Sequence, residues 1–196
     1  MSGRSMAGCY SANVPNRQIP LLSMPLPAIW LVTDERTDAL LDAALARLPR
    51  GSGIIFRHYH LPPAERRARL EHIRVLARRF GHLLVLAGTE RDARRAGAGG
   101  AYGAPASLGH RAGLLRLATA HSPQEMSAAL RAGADAILLS PVFATRSHPG
   151  AAVLGPVRWR LLAARSPIPV IAMGGVDLHR ARARGLTRWA AIDGLA

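Results

Sequence analysis

Residues 133–176 read GADAILLSPVFATRSHPGAAVLGPVRWRLLAARSPIPVIAMGGV, and they contain one complete strand–helix–strand unit. Ala136–Ser140 and Pro169–Met173 are short apolar runs of the kind that forms buried strands. Pro156–Arg165 lies between them and predicts a helix, since proline is favoured in the first turn. Two apolar strands joined through a helix are typical of a parallel sheet covered by helices.

The same alternation of strand and helix continues through most of the chain. The other predicted strands are Ala28–Thr33, Gly53–Tyr59, His82–Ala87, Gly99–Tyr102, Leu114–Ala120 and Arg188–Ile192. The other predicted helices are Thr37–Leu48, Pro62–Phe80, a short one capped by Thr89, one capped by Ser122 that ends at Gly133, and Asp177–Arg184. No convincing helix follows the fourth strand. Eight strands favour a closed (β/α)₈ barrel, and an open doubly wound sheet of about five to seven strands is the alternative.

We therefore predict the α/β class and a compact (β/α)₈ TIM barrel over residues 28–196. The sequence stops at Ala196, soon after the eighth strand, so we expect the barrel to lack its final helix. Residues 1–27 are predicted as an N-terminal extension, whether flexible, packed as an arm, or upstream of the true start. Their prolines interrupt the apolar stretch that a secretory signal needs. The extension, or a second subunit of a homo-oligomer, would cover the gap left by the missing helix.

The composition restricts the chemistry and the location of the protein. All 26 basic residues are arginine, which excludes lysine Schiff bases and lysine nucleophiles. The single cysteine, Cys9, cannot form an internal disulfide, as expected of a cytoplasmic protein. No apolar run reaches the roughly 18 residues that span a membrane, and 49% hydrophobic residues indicate a packed globule.

In a barrel of this kind, functional residues lie at the carboxyl ends of the strands. The polar and glycine residues at those ends are Arg57, His58, His60, His121, Ser122, the loop from Ser140 to Gly150, Gly174, Gly175, Asp193 and Gly194. The pair Gly174 and Gly175 precedes a helix and is suited to holding a phosphate through backbone N–H groups, although an ordinary turn has the same pattern. His121 can move a proton near neutral pH, or it can simply be buried or cap a helix. A metal cluster of His58, His60, His121 and His148 lacks any diagnostic spacing, so we predict no metal site.

The segments GADAILLSPVFATRSHPGAAVLGP, PVIAMGGV and ATAHSPQEMSAALRAGAD together resemble the thiamine phosphate synthase/TenI family of small barrels. The resemblance implies that a hydroxyethylthiazole phosphate binds in the barrel mouth. It assigns the phosphate to Gly174, Gly175 and the turn at Asp193 and Gly194. It assigns the rest of the substrate to residues that line the mouth: Arg57, Ser122, Ser140, Thr145, Ser147 and His148.

The first half of the chain departs from the synthases of that family. Only Arg57 remains of their motif after strand two, and no carboxylate follows strands three and four, where synthases hold Mg²⁺ and diphosphate. The TenI branch instead tautomerises a thiazole carboxylate phosphate with a histidine, whose position His121 occupies. We therefore predict a metal-independent tautomerase with His121 as acid and base and with no cofactor. The alternatives are a thiamine phosphate synthase, which would need Mg²⁺, and a catalytically silent ligand-binding or regulatory protein.

The net charge of +14 leads to a separate prediction. The arginines fall on helix-like stretches, including Arg180, Arg182 and Arg184, and aromatic residues make up only 5%. We interpret them as solvated outer faces and expect no specific nucleic-acid partner. Binding to DNA or RNA should be weak, independent of sequence and steeply dependent on salt. Sub-micromolar, sequence-selective binding in a competition assay at about 150 mM salt would contradict this.

Overall fold

A computed structural model describes residues 25–109, 113–146, 150 and 152–195. The strands are β1 (Ile29–Val32), β2 (Gly53–Phe56), β3 (Leu83–Ala87), β4 (Gly100–Gly103), β5 (Leu115–Ala120), β6 (Ala136–Leu139), β7 (Val170–Met173) and β8 (Trp189–Ala191). The α-helices are α1 (Leu41–Arg47), α2 (Pro63–Phe80), α3 (Glu90–Arg95), α4 (Pro123–Arg131), α5 (Gly155–Ala164) and α6 (Leu178–Ala183). Short 3₁₀ segments occupy Glu35–Leu40, Pro105–Ser107 and Asp193–Leu195.

The eight strands form one closed parallel barrel in sequence order. β1 pairs with β2 on one side and with β8 on the other, where Trp30 is in register with Ala190. The predicted (β/α)₈ barrel is confirmed, and the alternative of an open sheet is wrong. None of the helices in the described part of the chain is long and apolar enough to cross a membrane.

Alternation along the strands builds two apolar layers. One set of side chains fills the barrel interior, namely Trp30, Val32, Ile55, Val85, Tyr102, Leu117, Leu138, Ile171 and Ile192. The opposite set packs against the helices and includes Leu31, Ile54, Phe56, Leu84 and Ile137. Gly53 is in register with Trp30, and a Cβ there would lie 2.1 Å from the Trp30 ring. Glycine at this position therefore leaves room for the largest side chain of the interior.

The observed boundaries differ from the predictions mainly at the first helix. The predicted helix Thr37–Leu48 is a 3₁₀ segment that begins at Glu35, followed by α1. The Asp34 side chain accepts a hydrogen bond from the Arg36 N–H and so starts the helical turn early. The predicted caps Thr89 and Ser122 are confirmed by their hydrogen bonds to the N–H groups of Asp92 and Glu125.

The two ends of the predicted barrel are described only in part. Of the extension 1–27, residues 25–27 are described and lead into β1, and the Trp30 indole N–H donates to the Pro27 carbonyl at 2.9 Å. Residues 1–24 lie outside the described part. After β8, the described residues form the 3₁₀ segment Asp193–Leu195.

The loop after β7 packs directly on the loop after β6, and glycine makes this contact possible. A Cβ on Gly175 would lie 2.3 Å from the Ala144 carbonyl oxygen, and one on Gly174 would lie 2.7 Å from Pro141 Cα. The Phe143 N–H also donates to the Gly174 carbonyl at 3.0 Å. The Gly-Gly pair is therefore required for packing, independently of any ligand.

Two glycines with the same backbone conformation provide a matched test of this packing. Gly175 and Gly185 both have φ +61, but a Cβ on Gly185 meets no atom within 4 Å. We expect Gly185→Ala to lose about 1–2 kcal/mol of unfolding free energy from the left-handed conformation alone. Gly175→Ala should lose about 1–3 kcal/mol more, because the Ala144 carbonyl must move. Urea unfolding would measure both, and equal losses would contradict the packing argument.

Candidate active site at the barrel mouth

A cavity of about 960 Å³ opens at the carboxyl ends of the strands. The eight residues predicted for the site that line it are Arg57, His121, Ser140, Thr145, Gly174, Gly175, Asp193 and Gly194. They come from five different strand ends, which only closure of the barrel brings together. The cavity lies where active sites of such barrels are found.

Three residues predicted for the site are not among the described residues that line the cavity. The Ser122 hydroxyl accepts the Glu125 N–H at 3.2 Å and caps α4, and Ser122 does not line the cavity. Ser147 and His148 lie outside the described residues. The substrate contacts expected of these two remain predictions.

The His121 imidazole is held at the cavity wall by Glu125. His121 Nδ1 lies 2.9 Å from Glu125 Oε2, and the same oxygen accepts the His121 backbone N–H at 2.8 Å. The bond to His121 is the main reason that the pKa of Glu125 lies below its ordinary value. An ionised carboxylate only accepts hydrogen bonds, so Nδ1 carries the proton and the Nε2 lone pair remains available as a base. Nε2 makes no hydrogen bond to a described residue.

The turn after β7 offers donors for an anion. Gly175 and Val176 both line the cavity, and the hydrogen bonds found among the described residues leave their backbone N–H groups unused. Arg180, one turn into α6, also lines the cavity, and its guanidinium donates to the Gly175 carbonyl. Arg180 was part of a predicted solvated face, and the structure brings it to the site instead.

The charges around the cavity favour an anionic ligand. Arg57, Arg146 and Arg180 line it, against the two carboxylates of Asp177 and Asp193. Asp177 accepts the Arg180 backbone N–H at 2.8 Å and caps α6, so its charge is used locally. The Asp193 carboxylate lies 3.5 Å from an Arg36 guanidinium nitrogen. A phosphate at the turn after β8 would therefore contact the Asp193 backbone and not its negatively charged side chain.

The opposite side of the cavity is aromatic and cationic. The Arg57 guanidinium carbon lies 5.7 Å from the centre of the Tyr59 ring, within range of a cation–π contact. Burial raises the pKa of Tyr102 to about 12, so its hydroxyl stays protonated at neutral pH and can donate a hydrogen bond. Neither tyrosine was predicted for the site. Their positions at the ends of β2 and β4 were the available signal in the sequence.

The family resemblance implies that a synthase would hold Mg²⁺ in this cavity, and Mg²⁺ would need oxygen ligands there. The lining contributed by β2, β4 and β5 contains no carboxylate. Across the described ranges, no three His, Cys, Asp or Glu side chains are grouped so that they could hold a metal ion. Magnesium prefers several oxygen ligands, usually including one or two carboxylates. The described residues therefore do not fit a magnesium site.

Comparisons with known proteins agree with this fold. The structure of thiamine phosphate pyrophosphorylase from Pyrococcus furiosus superposes with a TM-score of 0.70 over 86% of both chains at 23% identity. The thiamine phosphate pyrophosphorylase of Bacteroides thetaiotaomicron gives a TM-score of 0.55 over 86% of this chain and 83% of that one, at 16% identity. At these identities the two superpositions establish a shared fold.

Sequence comparison identifies the family itself. An Aquifex aeolicus protein named "Putative thiamine-phosphate synthase 2" is 39% identical over 62 residues, which is 32% of this chain and about a third (33%) of that relative's length. The family described as thiamine monophosphate synthase, TMP-TENI, matches residues 29–195, nearly the whole barrel. The chain therefore belongs to the TMP-TENI thiamine monophosphate synthase family of thiamine biosynthesis.

Proposed function

We propose that the protein is a metal-independent thiazole tautomerase that acts on a phosphorylated thiazole carboxylate. The observation that carries the proposal is the His121–Glu125 pair, held in the same cavity as the turn at Gly174 and Gly175. In the described part of the chain, the lining from β2, β4 and β5 also contains no carboxylate that could help to hold a metal. Membership of the family limits the substrate class to the thiamine precursors.

The phosphate of the substrate would bind at the turn after β7. The unused N–H groups of Gly175 and Val176 can each donate to a phosphate oxygen, and Arg180 supplies a positive charge beside them. Charge-assisted hydrogen bonds of this kind are about twice as strong as neutral ones. The phosphate would therefore fix the substrate while the thiazole ring lies towards His121.

The reaction requires only that a proton leaves one atom of the thiazole system and returns to another. His121 Nε2 takes the proton, which makes the imidazole cationic, and then returns it to the new position. Glu125 keeps Nδ1–H oriented throughout and stabilises the cation formed between the two steps. No electron acceptor or metal enters the balance, because the substrate and the product are isomers.

Thiamine phosphate synthase activity is the second candidate, and the comparisons favour it. The family description and the named relatives all refer to the synthase or pyrophosphorylase. Arg57 would then have to stabilise the departing diphosphate with other cationic residues. Incubation with the pyrimidine diphosphate and the thiazole phosphate, with and without Mg²⁺, distinguishes the two candidates through formation of thiamine phosphate.

We expect His121→Ala to lower tautomerase kcat by about 10²–10⁴-fold, the usual contribution of a general acid–base residue. The KM should change little, because the phosphate is bound at β7 and β8. EDTA should leave the wild-type rate unchanged. Turnover can be followed by NMR of the thiazole ring protons with purified full-length protein.

His72→Ala is the matched control for this substitution. His72 is also a half-exposed histidine paired with a carboxylate, since its Nε2 lies 2.6 Å from Asp42 Oδ2, but it lies on the outer surface of α2. Its replacement should leave kcat unchanged. Full activity in His121→Ala would contradict the proposed role, and Mg²⁺-dependent formation of thiamine phosphate would favour the synthase.

A further inference from the structure

Arg57 is presented to the cavity by a short loop whose backbone is held on both sides. Its N–H donates to the Thr33 hydroxyl at 2.9 Å, and its carbonyl accepts from Arg66 Nε at 2.9 Å. Thr33 directly follows β1 and is completely buried. The position of Arg57 therefore depends on a hydroxyl contributed by the neighbouring strand.

The Thr33 hydroxyl is in turn bonded to His58, which follows Arg57 in the chain. Thr33 Oγ1 lies 2.7 Å from His58 Nδ1, and His58 Nε2 lies 2.8 Å from Asp38 Oδ1. Arg69 holds that carboxylate through its Nε at 2.9 Å. These groups make a continuous chain of hydrogen bonds from α2 to the Arg57 backbone.

The His58 side chain is built into the fold and does not face the cavity. Only 1% of its surface is exposed, and its ring stacks on Phe56 at 4.7 Å between centres. Its φ is +38, the one non-glycine residue with a positive φ in the described part of the chain. A buried histidine in this conformation is maintained only where the surrounding structure compensates for the strain.

The hydrogen-bond donors and acceptors of Thr33, His58 and Asp38 are all satisfied in only one protonation state of His58. The Asp38 carboxylate accepts, so His58 Nε2 must carry a proton. Thr33 Oγ1 accepts from the Arg57 N–H, and its own proton has no other acceptor among the described residues, so His58 Nδ1 is the acceptor. Burial, partly offset by the bond to Asp38, lowers the pKa of His58 and favours this neutral form. The other charged or titratable groups that act on the ring are Arg69 and His60.

We propose that Thr33, His58 and Asp38 are positioning residues that hold Arg57 at the barrel mouth, linked through the Nε2–H tautomer of His58. The network would hold the Arg57 guanidinium towards a bound phosphorylated thiazole without touching the ligand itself. The effect on the ligand rests on the proposed function, whereas the effect on the Arg57 backbone does not.

The decisive variant is Thr33→Val in the full-length protein, which keeps the side-chain shape and removes the hydroxyl. Hydrogen exchange measured by NMR should show the Arg57 amide exchanging about tenfold faster, as expected for the loss of one buried hydrogen bond. Calorimetric affinity for hydroxyethylthiazole phosphate should fall by a similar factor. An unchanged Arg57 exchange rate in the folded variant would overturn the proposal.

Two further variants separate positioning from a general loss of stability. Thr37→Val removes another buried hydroxyl nearby, one that donates to the Asp34 carbonyl, and should change neither the Arg57 exchange rate nor the affinity. His58→Asn should accelerate Arg57 exchange less than Thr33→Val does, because asparagine tolerates positive φ and its amide oxygen can replace Nδ1 as acceptor, while its shorter side chain loses the bond to Asp38. If Thr37→Val had the same effect as Thr33→Val, the network would only stabilise the fold and would not position Arg57. That result would overturn the proposal.

The wild-type protein alone supplies a final test. Nitrogen chemical shifts should show His58 as the neutral Nε2–H tautomer at a pH where an ordinary histidine is half protonated. A His58 found as the Nδ1–H tautomer or as a cation there would overturn the proposal even if Thr33→Val failed to fold. If wild-type protein does not bind the thiazole phosphate, the proposed function fails, and the exchange and tautomer measurements still decide whether Arg57 is positioned.

Discussion

Pairing of β1 with β8 is the constraint on which the rest of the structure depends. The Trp189 N–H donates to the Ala28 carbonyl at 2.9 Å, and Ile29, Trp30 and Leu31 continue the ladder. Closure leaves no unpaired sheet edge and directs all eight carboxyl ends to one side. The cavity is therefore a consequence of closure, because no single strand or loop contains enough of the lining to form it.

Close backbone packing and the proposed phosphate binding involve the same residues on the β7 side of the mouth. Gly174 and Gly175 have no side chains, so the turn rests on Pro141 and Ala144 of the preceding loop. That packing leaves the N–H groups of Gly175 and Val176 without a partner among the described residues. A glycine pair here would be needed in a binding protein and in a structural turn alike, so the case for an anion site comes from the N–H groups without a described partner and from the arginines that line the cavity.

Polar groups beside the mouth divide it into parts of different chemistry. On the β5 side, Glu125 orients His121 and keeps one imidazole nitrogen available. On the β2 side, Thr33 and His58 secure the backbone beside Arg57. His121 and Arg57 are thus each held in place by other residues that do not need to contact a ligand. On the β2 side this support is costly to disturb, because Thr33 and His58 are buried and would be left with unsatisfied donors or acceptors.

The sequence by itself determined the strands, the caps at Thr89 and Ser122, and the position of His121 at a strand end, since these depend on local patterns of apolar residues and capping groups. It also indicated the Gly-Gly turn. Only the tertiary structure decided that Ser122, the predicted cap, lies outside the cavity lining. It also decided that Arg180 lines the cavity, although its helix was predicted to present a solvated face. His58, which the sequence placed among the polar residues at the strand ends, is likewise a buried link between Thr33 and Asp38. These roles depend on contacts between residues far apart in the chain, which periodicity and spacing do not encode.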